Sequence, residues 1–587
     1  MSFGASNRRV AGRPARAWVF AVAGAIAWGD AGGHTAFGQT DTPVPSITGN
    51  VSILWQSYAE DTLIGAQVPP SKTGYNAFAN LLYNQGNFSA GVRYESYLNA
   101  VLGFPGRFKG SGIGYRFARY QDRDRGVDVT VGNFYDQFGS GLVLRAYEER
   151  NLGIDNALDG FRLVLTPLQG AEVKFLYGKQ RFDFQDGLVN GPGVIRAVNG
   201  ELDLNQLVAG WADRPLKLTL GGSFVSKFQP GSSFNVDSLV LGMPQNVGAW
   251  SYRLNVLRKG WIGQVEYAGK INDPSADNGF TYRNGEAALA TLGYSQKGLG
   301  VLVTAKMVDN MSFRSDRDLR LFDLPVNYIP AVTQQHTYNL AATLYPYATV
   351  ITGETSASAE VFYTLPKGSK LGGKYGTKLS ASFAAANSLD TTRYASSDVN
   401  SVIYGYERTS WGPGSELFVR DFNFTASRKF TKEFKAKYAF FHFEFNTLTT
   451  PVTTDYKGIV DANIHVLETQ WKVTPKQSLR TELQGLWVGE DKDHPGELQD
   501  KGHWATVVAE YTWSPHWFAS VIDQYNFGNN DPAKRIHYLY GSAGYIQGPH
   551  RLSVGYGKRR EGIFCVGGVC RAVPASNGFE VAFTSSF

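Results

Sequence analysis

Residues 478–488, SLRTELQGLWV, put Leu479, Thr481, Leu483, Gly485 and Trp487 on one side of an extended chain. Arg480, Glu482, Gln484 and Leu486 fall on the other. This period-two alternation marks a strand with one apolar and one polar face. It recurs at 88–97, where Phe88, Ala90, Val92 and Tyr94 oppose Ser89, Gly91, Arg93 and Glu95. It recurs again at 261–270, where Trp261, Gly263, Val265 and Tyr267 oppose Gln264, Glu266 and Lys270. The pattern constrains the fold because one texture runs from about residue 47 to the end. No long linker, charge block or change of composition interrupts it.

Alternation alone does not say which face meets water. A soluble sandwich turns its apolar face to a core, whereas a transmembrane barrel turns it to lipid and lines a wet lumen with the polar one. Strand number separates the two. The pattern gives about 24 strands (22–26), and soluble sheets rarely exceed about ten without splitting. Connections separate them further, because short and long ones alternate. Short ones fall at 85–87, 166–170, 212–215, 258–260, 296–298, 474–477 and 514–516. Long ones fall at 59–74, 136–157, 229–246, 310–352, 388–415 and 559–576. That is the rhythm of short periplasmic turns and long extracellular loops. The expected fold is therefore all-β, a single large antiparallel transmembrane barrel over 47–587. Helical spans are excluded, since no stretch of the mature part holds the roughly 18 apolar residues one needs.

The N-terminus differs in kind. Arg8, Arg9, Arg13 and Arg16 precede the apolar run AWVFAVAGAIAW at 17–28, with small residues Ala36 and Gly38 beyond it. This reads as a cleaved secretory signal over 1–38, followed by a short periplasmic segment at 39–46. Too few residues then precede the first strand for a separate plug domain. The formal charge of +6 includes the four signal arginines, so the mature chain is nearly balanced and offers no nucleic-acid surface. In an exported chain, Cys565 and Cys570 flank Gly567-Gly568, a two-residue hairpin turn that sets them opposite each other. A disulfide at a loop tip is expected.

The chain ends on GFEVAFTSSF, with Phe579, Val581, Phe583, Ser585 and Phe587 on one face. Here it resembles the outer-membrane β-barrel proteins of Gram-negative bacteria. The block GNFYDQFGSGL…RAYEER…GIDN (132–156) is similar to an uncharacterised family of such barrels, over most of the mature chain. The resemblance implies an outer-membrane location, a lipid environment, and a terminal strand whose Phe583 and Phe587 are read by the barrel-insertion machinery. It offers no catalytic residue.

The nine histidines form no His-Glu-x-x-His motif, and Gly-x-Ser-x-Gly is absent from any strand-to-helix turn. The acidic stretch 489–503 (Glu490, Asp491, Asp493, His494, Glu497, Asp500 and His503) lacks calcium-loop spacing and reads as a solvated loop. No enzyme, metal or cofactor is expected. A bore of this width needs closing, and the charged block 136–157 is the candidate. Gly139 and Gly141 permit a sharp bend into the lumen. Asp136, Arg145, Glu148, Glu149, Arg150 and Asp155 are the constriction candidates, with Arg145 or Arg150 expected on carboxylates. Arg93/Glu95, Glu172/Lys174, Glu266/Lys270 and Arg480/Glu482 are expected lumen pairs. Loop 334–354, with Tyr338, Tyr345 and Tyr347, reads first as an internally packed cap and second as a partner surface. The functional expectation is a porin-like or selective channel for a small polar solute, narrowed by inward loops. The alternative is a non-conducting barrel that docks a protein partner.

Overall fold

The computed structural model describes residues 44–587 apart from 67, 232, 237–238, 450–453, 455 and 567–568. The signal reading of 1–38 and most of segment 39–46 therefore lie outside the described residues. An antiparallel sheet of 24 strands starts at Ser46–Ser57 and ends at Ser576–Ser586. These two strands pair with each other, Ile53 opposite Phe583 and Trp55 opposite Val581. The sheet therefore closes into a barrel, and closure leaves no edge with unpaired backbone groups.

The two faces of the wall are those of a membrane barrel. Along Gln477–Val488, Leu483 and Trp487 are exposed on the outside while Glu482, Gln484 and Leu486 are buried within. Along Phe88–Asn99, exposed Tyr94 stands between buried Arg93 and Glu95. Along Trp261–Lys270, exposed Val265 adjoins fully buried Glu266. Exposed Trp261, Trp471, Trp513 and Trp517 flank the short turns, as in the aromatic girdles that sit at headgroup height. Among the described residues no helix is long and apolar enough to cross a membrane, which bears on helices only.

Segment 388–415 is mostly strand. Thr377–Arg393 and Tyr406–Lys429 continue past the belt as a paired ribbon, Thr391 opposite Arg408 and Arg393 opposite Tyr406. Register shifts between Ala386 and Thr391 mark bulges, and Pro413 sits opposite Leu389 in this irregular part. Gly-Pro-Gly at 412–414 thus lies within a bulged strand, in a segment expected to be a loop. At 559–576 the hairpin Gly562–Val566 and Val569–Val573 sets Cys565 opposite Cys570. The side chains of both cysteines, and so the disulfide, lie outside the described residues.

Candidate functional site

Two loops occupy the bore. The first is 136–157, which follows strand Val127–Phe134. Gly139 and Gly141 take φ of +53° and +97°, the left-handed region that turns the chain inward. A side chain at Gly139 would collide with Arg253 on the wall. At this tip the Ser140 amide donates to Glu266 Oε2 at 2.7 Å, and Gln264 Nε2 donates to Ser140 Oγ at 2.9 Å. Phe138, Leu142, Val143 and Leu144 are buried against Leu176, Ile195, Val225, Ala249, Ala268 and Ala287.

Beyond the tip, an ionic clasp ties the loop to two strands. Arg93 reaches Glu95 at 2.8 Å, Glu148 at 2.8 Å and Asp155 at 2.6 Å. Arg181, on Ala171–Phe184, reaches both oxygens of Glu95, at 2.7 and 2.6 Å, and Asp155 at 2.8 Å. Tyr97 donates to Glu95 at 2.8 Å and Tyr135 to Asp155 at 2.9 Å. Two guanidiniums and three carboxylates thus pair with one another in a largely buried setting, with Arg181 Nε left unpaired. In that setting removal of one member strands the rest.

The expected constriction residues divide by what they touch. Asp136 takes Arg162 at 2.6 Å and Lys174 at 3.5 Å. Glu148 and Asp155 belong to the clasp, and Arg150 pairs with Glu148 at 2.7 Å on a more exposed side. Glu149 pairs through its backbone with Ile154. The guanidinium of Arg145 lies 4.5 Å from the Tyr147 ring and 4.0 Å from the Tyr328 ring. Of the two arginines expected on carboxylates it is Arg150 that finds one; no carboxylate pair of Arg145 is among the ion pairs of the described residues, and aromatic faces hold it instead. Burial pushes the Tyr147 phenol up to about 12, with Arg145 opposing the shift.

The second loop, 310–352, crosses the lumen. Its first part joins the first loop through backbone bonds: Arg145 N to Val326 O at 2.8 Å and Tyr328 N to Gly141 O at 2.9 Å. Met311, Phe313, Val326 and Ile329 complete the core begun by Phe138 and Leu142. The loop then carries helix Asn339–Leu344 to a different part of the wall. There Tyr338, Leu340, Leu344, Tyr345 and Tyr347 lie among Phe441, Phe443, Phe445, Ala462, Ile464 and Leu486. Polar ends are matched one by one. Tyr345 donates to Asp500 at 3.0 Å, Tyr338 to Glu468 at 3.0 Å and Tyr347 to Glu354 at 2.6 Å, while His336 meets Asp421 at 2.7 Å. Arg560 donates to Thr343 Oγ1. Burial, then the facing Asp500 and Glu354, hold the phenols of Tyr345 and Tyr347 well above their usual range. Two crevices beside this loop measure about 90 and 70 Å³, room for a few waters.

Two expectations need correcting. The lumen wall is not polar throughout, because Ala268, Ala287 and Val308 form one cross-strand row and Phe443, Ala462 and Val488 another. Loop side chains cover these rows, so water never meets them. Glu266 and Lys270 do not pair; Glu266 holds the loop tip and Lys270 donates to Ser312 O at 2.6 Å. The tyrosines of 334–354 follow the first reading, a packed cap, since Tyr338, Tyr345 and Tyr347 are buried. Arg93/Glu95, Glu172/Lys174 and Arg480/Glu482 do pair. Lys306 and Glu354, which no local pattern flagged, form a fully buried pair at 3.0 Å. In the acidic stretch, Asp500 is spent on Tyr345 and Thr454, and Asp491 bonds His494 at 2.9 Å.

Residues 18–587 match the model of a family described as a family of unknown function (DUF6029). The chain belongs to this family. No curated protein matches it. Among solved structures it is similar to the siderophore receptor PirA from Pseudomonas aeruginosa, at 12% identity over 93% of this chain and 81% of that one, with a TM-score of 0.38. It is similar to the P pilus usher (PapC) translocation pore, at 8% identity over 93% and 99%, with a TM-score of 0.37. It is also similar to the copper transporter OprC, at 10% identity over 92% and 80%, with a TM-score of 0.39. Each is a distant likeness of fold.

Proposed function

We propose that this member of the family is an outer-membrane transport barrel that rests closed, with loops 136–157 and 310–352 doing the work of a plug. The observation that carries the reading is the path of 310–352, which leaves strand Leu299–Asp309, buries Tyr345 against Phe443 and Phe445, and returns to Gly353–Leu365. Loop 136–157 is the movable gate. Its second half is held by charge, in a cluster that lets go as a unit once one member is lost. Asp136, Arg145, Glu148, Glu149, Arg150 and Asp155 then line the opened passage, whose mixed charge suits a small neutral or zwitterionic solute. Export by the 1–38 signal, insertion guided by Phe583 and Phe587, and a Cys565–Cys570 staple belong to the same reading.

A non-conducting barrel that docks a protein is the second reading. The tight seat of helix Asn339–Leu344 favours it, because nothing there needs to move. Planar-bilayer recording separates the two. The gated barrel should show a mostly closed wild type with brief openings, and a stable large conductance once 138–157 is deleted. A folded deletion variant that stays silent supports the docking reading. A wild type that conducts steadily contradicts closure.

A further inference from the structure

We propose that one sector of the short-turn rim binds the anionic phospholipid headgroups of the adjoining leaflet. Three turns build it, 365–377, 429–434 and 474–477, and they are neighbours because the strands they join are consecutive in the sheet. Lys367, Lys370, Lys374, Lys429, Lys432 and Lys476 are all exposed there. Glu433 is the one acidic residue of the three turns. The ion pairs of this wall, such as Arg420–Glu444 and Arg480–Glu510, use other residues, and none of the six lysines has such a partner among the described residues. At turn 122–127, by contrast, the charge is matched, and Arg125 lies 3.6 Å from Asp122.

The neighbours of these lysines say where they sit. Lys374 Nζ and Lys429 Nζ lie 5.7 and 5.2 Å from the Tyr375 ring, and Arg428 lies 5.2 Å from the Phe430 ring. Exposed Tyr363, Phe430 and Trp471 stand beside them on the outer face. Exposed aromatics at a strand end mark the headgroup layer. Lysines at that height lay their stems on apolar surface and reach the phosphates with their ammonium groups. Anionic lipid attracts each such cation within a Debye length, about 8 Å in physiological salt. A soluble acidic partner would use the charge but not the aromatic ring beside it, so the lipid is the favoured occupant.

Native mass spectrometry of the full-length protein in zwitterionic micelles tests this. Phosphatidylglycerol and phosphatidylcholine are titrated in parallel. The wild type should prefer phosphatidylglycerol by about ten-fold or more. The variant K367Q/K370Q/K374Q/K429Q/K432Q/K476Q should lose most of that preference, while R123Q/R125Q, on another part of the rim, keeps it. Heat-modifiable gel mobility reports folding. If the six-fold variant fails to fold, K367Q/K370Q/K374Q and the salt dependence of the wild type replace it, and both should weaken the preference. No preference in the wild type, or an unchanged one in a folded variant, overturns the proposal. So does soluble polyglutamate binding as tightly as phosphatidylglycerol and displacing it, which would assign the surface to an acidic protein.

Discussion

Segments 148–155 and 338–347 obstruct the same bore by opposite means. The first is held by Arg93 and Arg181, whose guanidiniums meet Glu95, Glu148 and Asp155 at 2.6 to 2.8 Å. The second is held by rings and aliphatic chains, with Tyr345 beside Phe445 and Leu340 completely buried. Apolar contact is non-directional and scales with the area removed from water. An ionic cluster depends on every partner being present. One seat should therefore weaken gradually as it is trimmed, and the other should fail when a single member goes. The difference suits a gate beside a fixed plug.

Replacing 336–347 with a Gly-Ser linker should disturb closure most. A barrel of this class has a wide bore, so conductance should rise about ten-fold or more over the wild type. No rise would mean that other residues close the lumen. Next, Arg181→Ala should cost about 3–5 kcal/mol, because it leaves Arg93 as the one guanidinium among Glu95, Glu148 and Asp155. It should release 148–155 while 338–347 stays protected from protease. Equal loss of protection in both segments would show that they are one unit. Arg145→Ala removes the contact with Tyr147 and Tyr328 and should cost about 1–2 kcal/mol, with Arg145→Lys in between. Thermal loss of heat-modifiable mobility reads both. Arg150→Ala should cost less than about 1 kcal/mol, since its pair with Glu148 is the exposed edge of the clasp.

The smallest effect is one of pH. Tyr345 and Tyr347 have raised phenol pKa values in the fold, so their contribution is fully present below the unfolded value near pH 10 and is lost as pH rises through the folded one. Protection of 338–347 should hold to about pH 10 and fall only above it. A fall near neutrality would contradict the dry seat.

The comparison also shows what the sequence can carry. Strand faces, turns and closure follow from local alternation, which is why Arg93, Glu95, Glu482 and Val265 stand where period two puts them. The inward bend at 139–141 is legible too, since glycine and charge there serve no strand. What lies against the wall is not legible, because the cover comes from far along the chain. Phe443 and Ile464 look like lumen errors until Tyr345 and Leu340 cover them. One signal was available: in FFHFEF at 440–445 both faces of the strand carry phenylalanine. A lumen face that apolar requires a cover. Of Arg145 and Arg150, the one that meets a carboxylate is Arg150, on Glu148, while the partner of Arg145, Tyr328, is supplied by the other loop.

Thiol labelling tests the closed bore most directly. Leu340→Cys, in a background with Cys565 and Cys570 changed to serine, places a thiol at the buried helix of the second loop. A membrane-impermeant maleimide should leave it unreacted under conditions that fully label Ser396→Cys in the exposed ribbon tip. Labelling of both at the same rate would mean that 310–352 extends into solvent and that the barrel stands open.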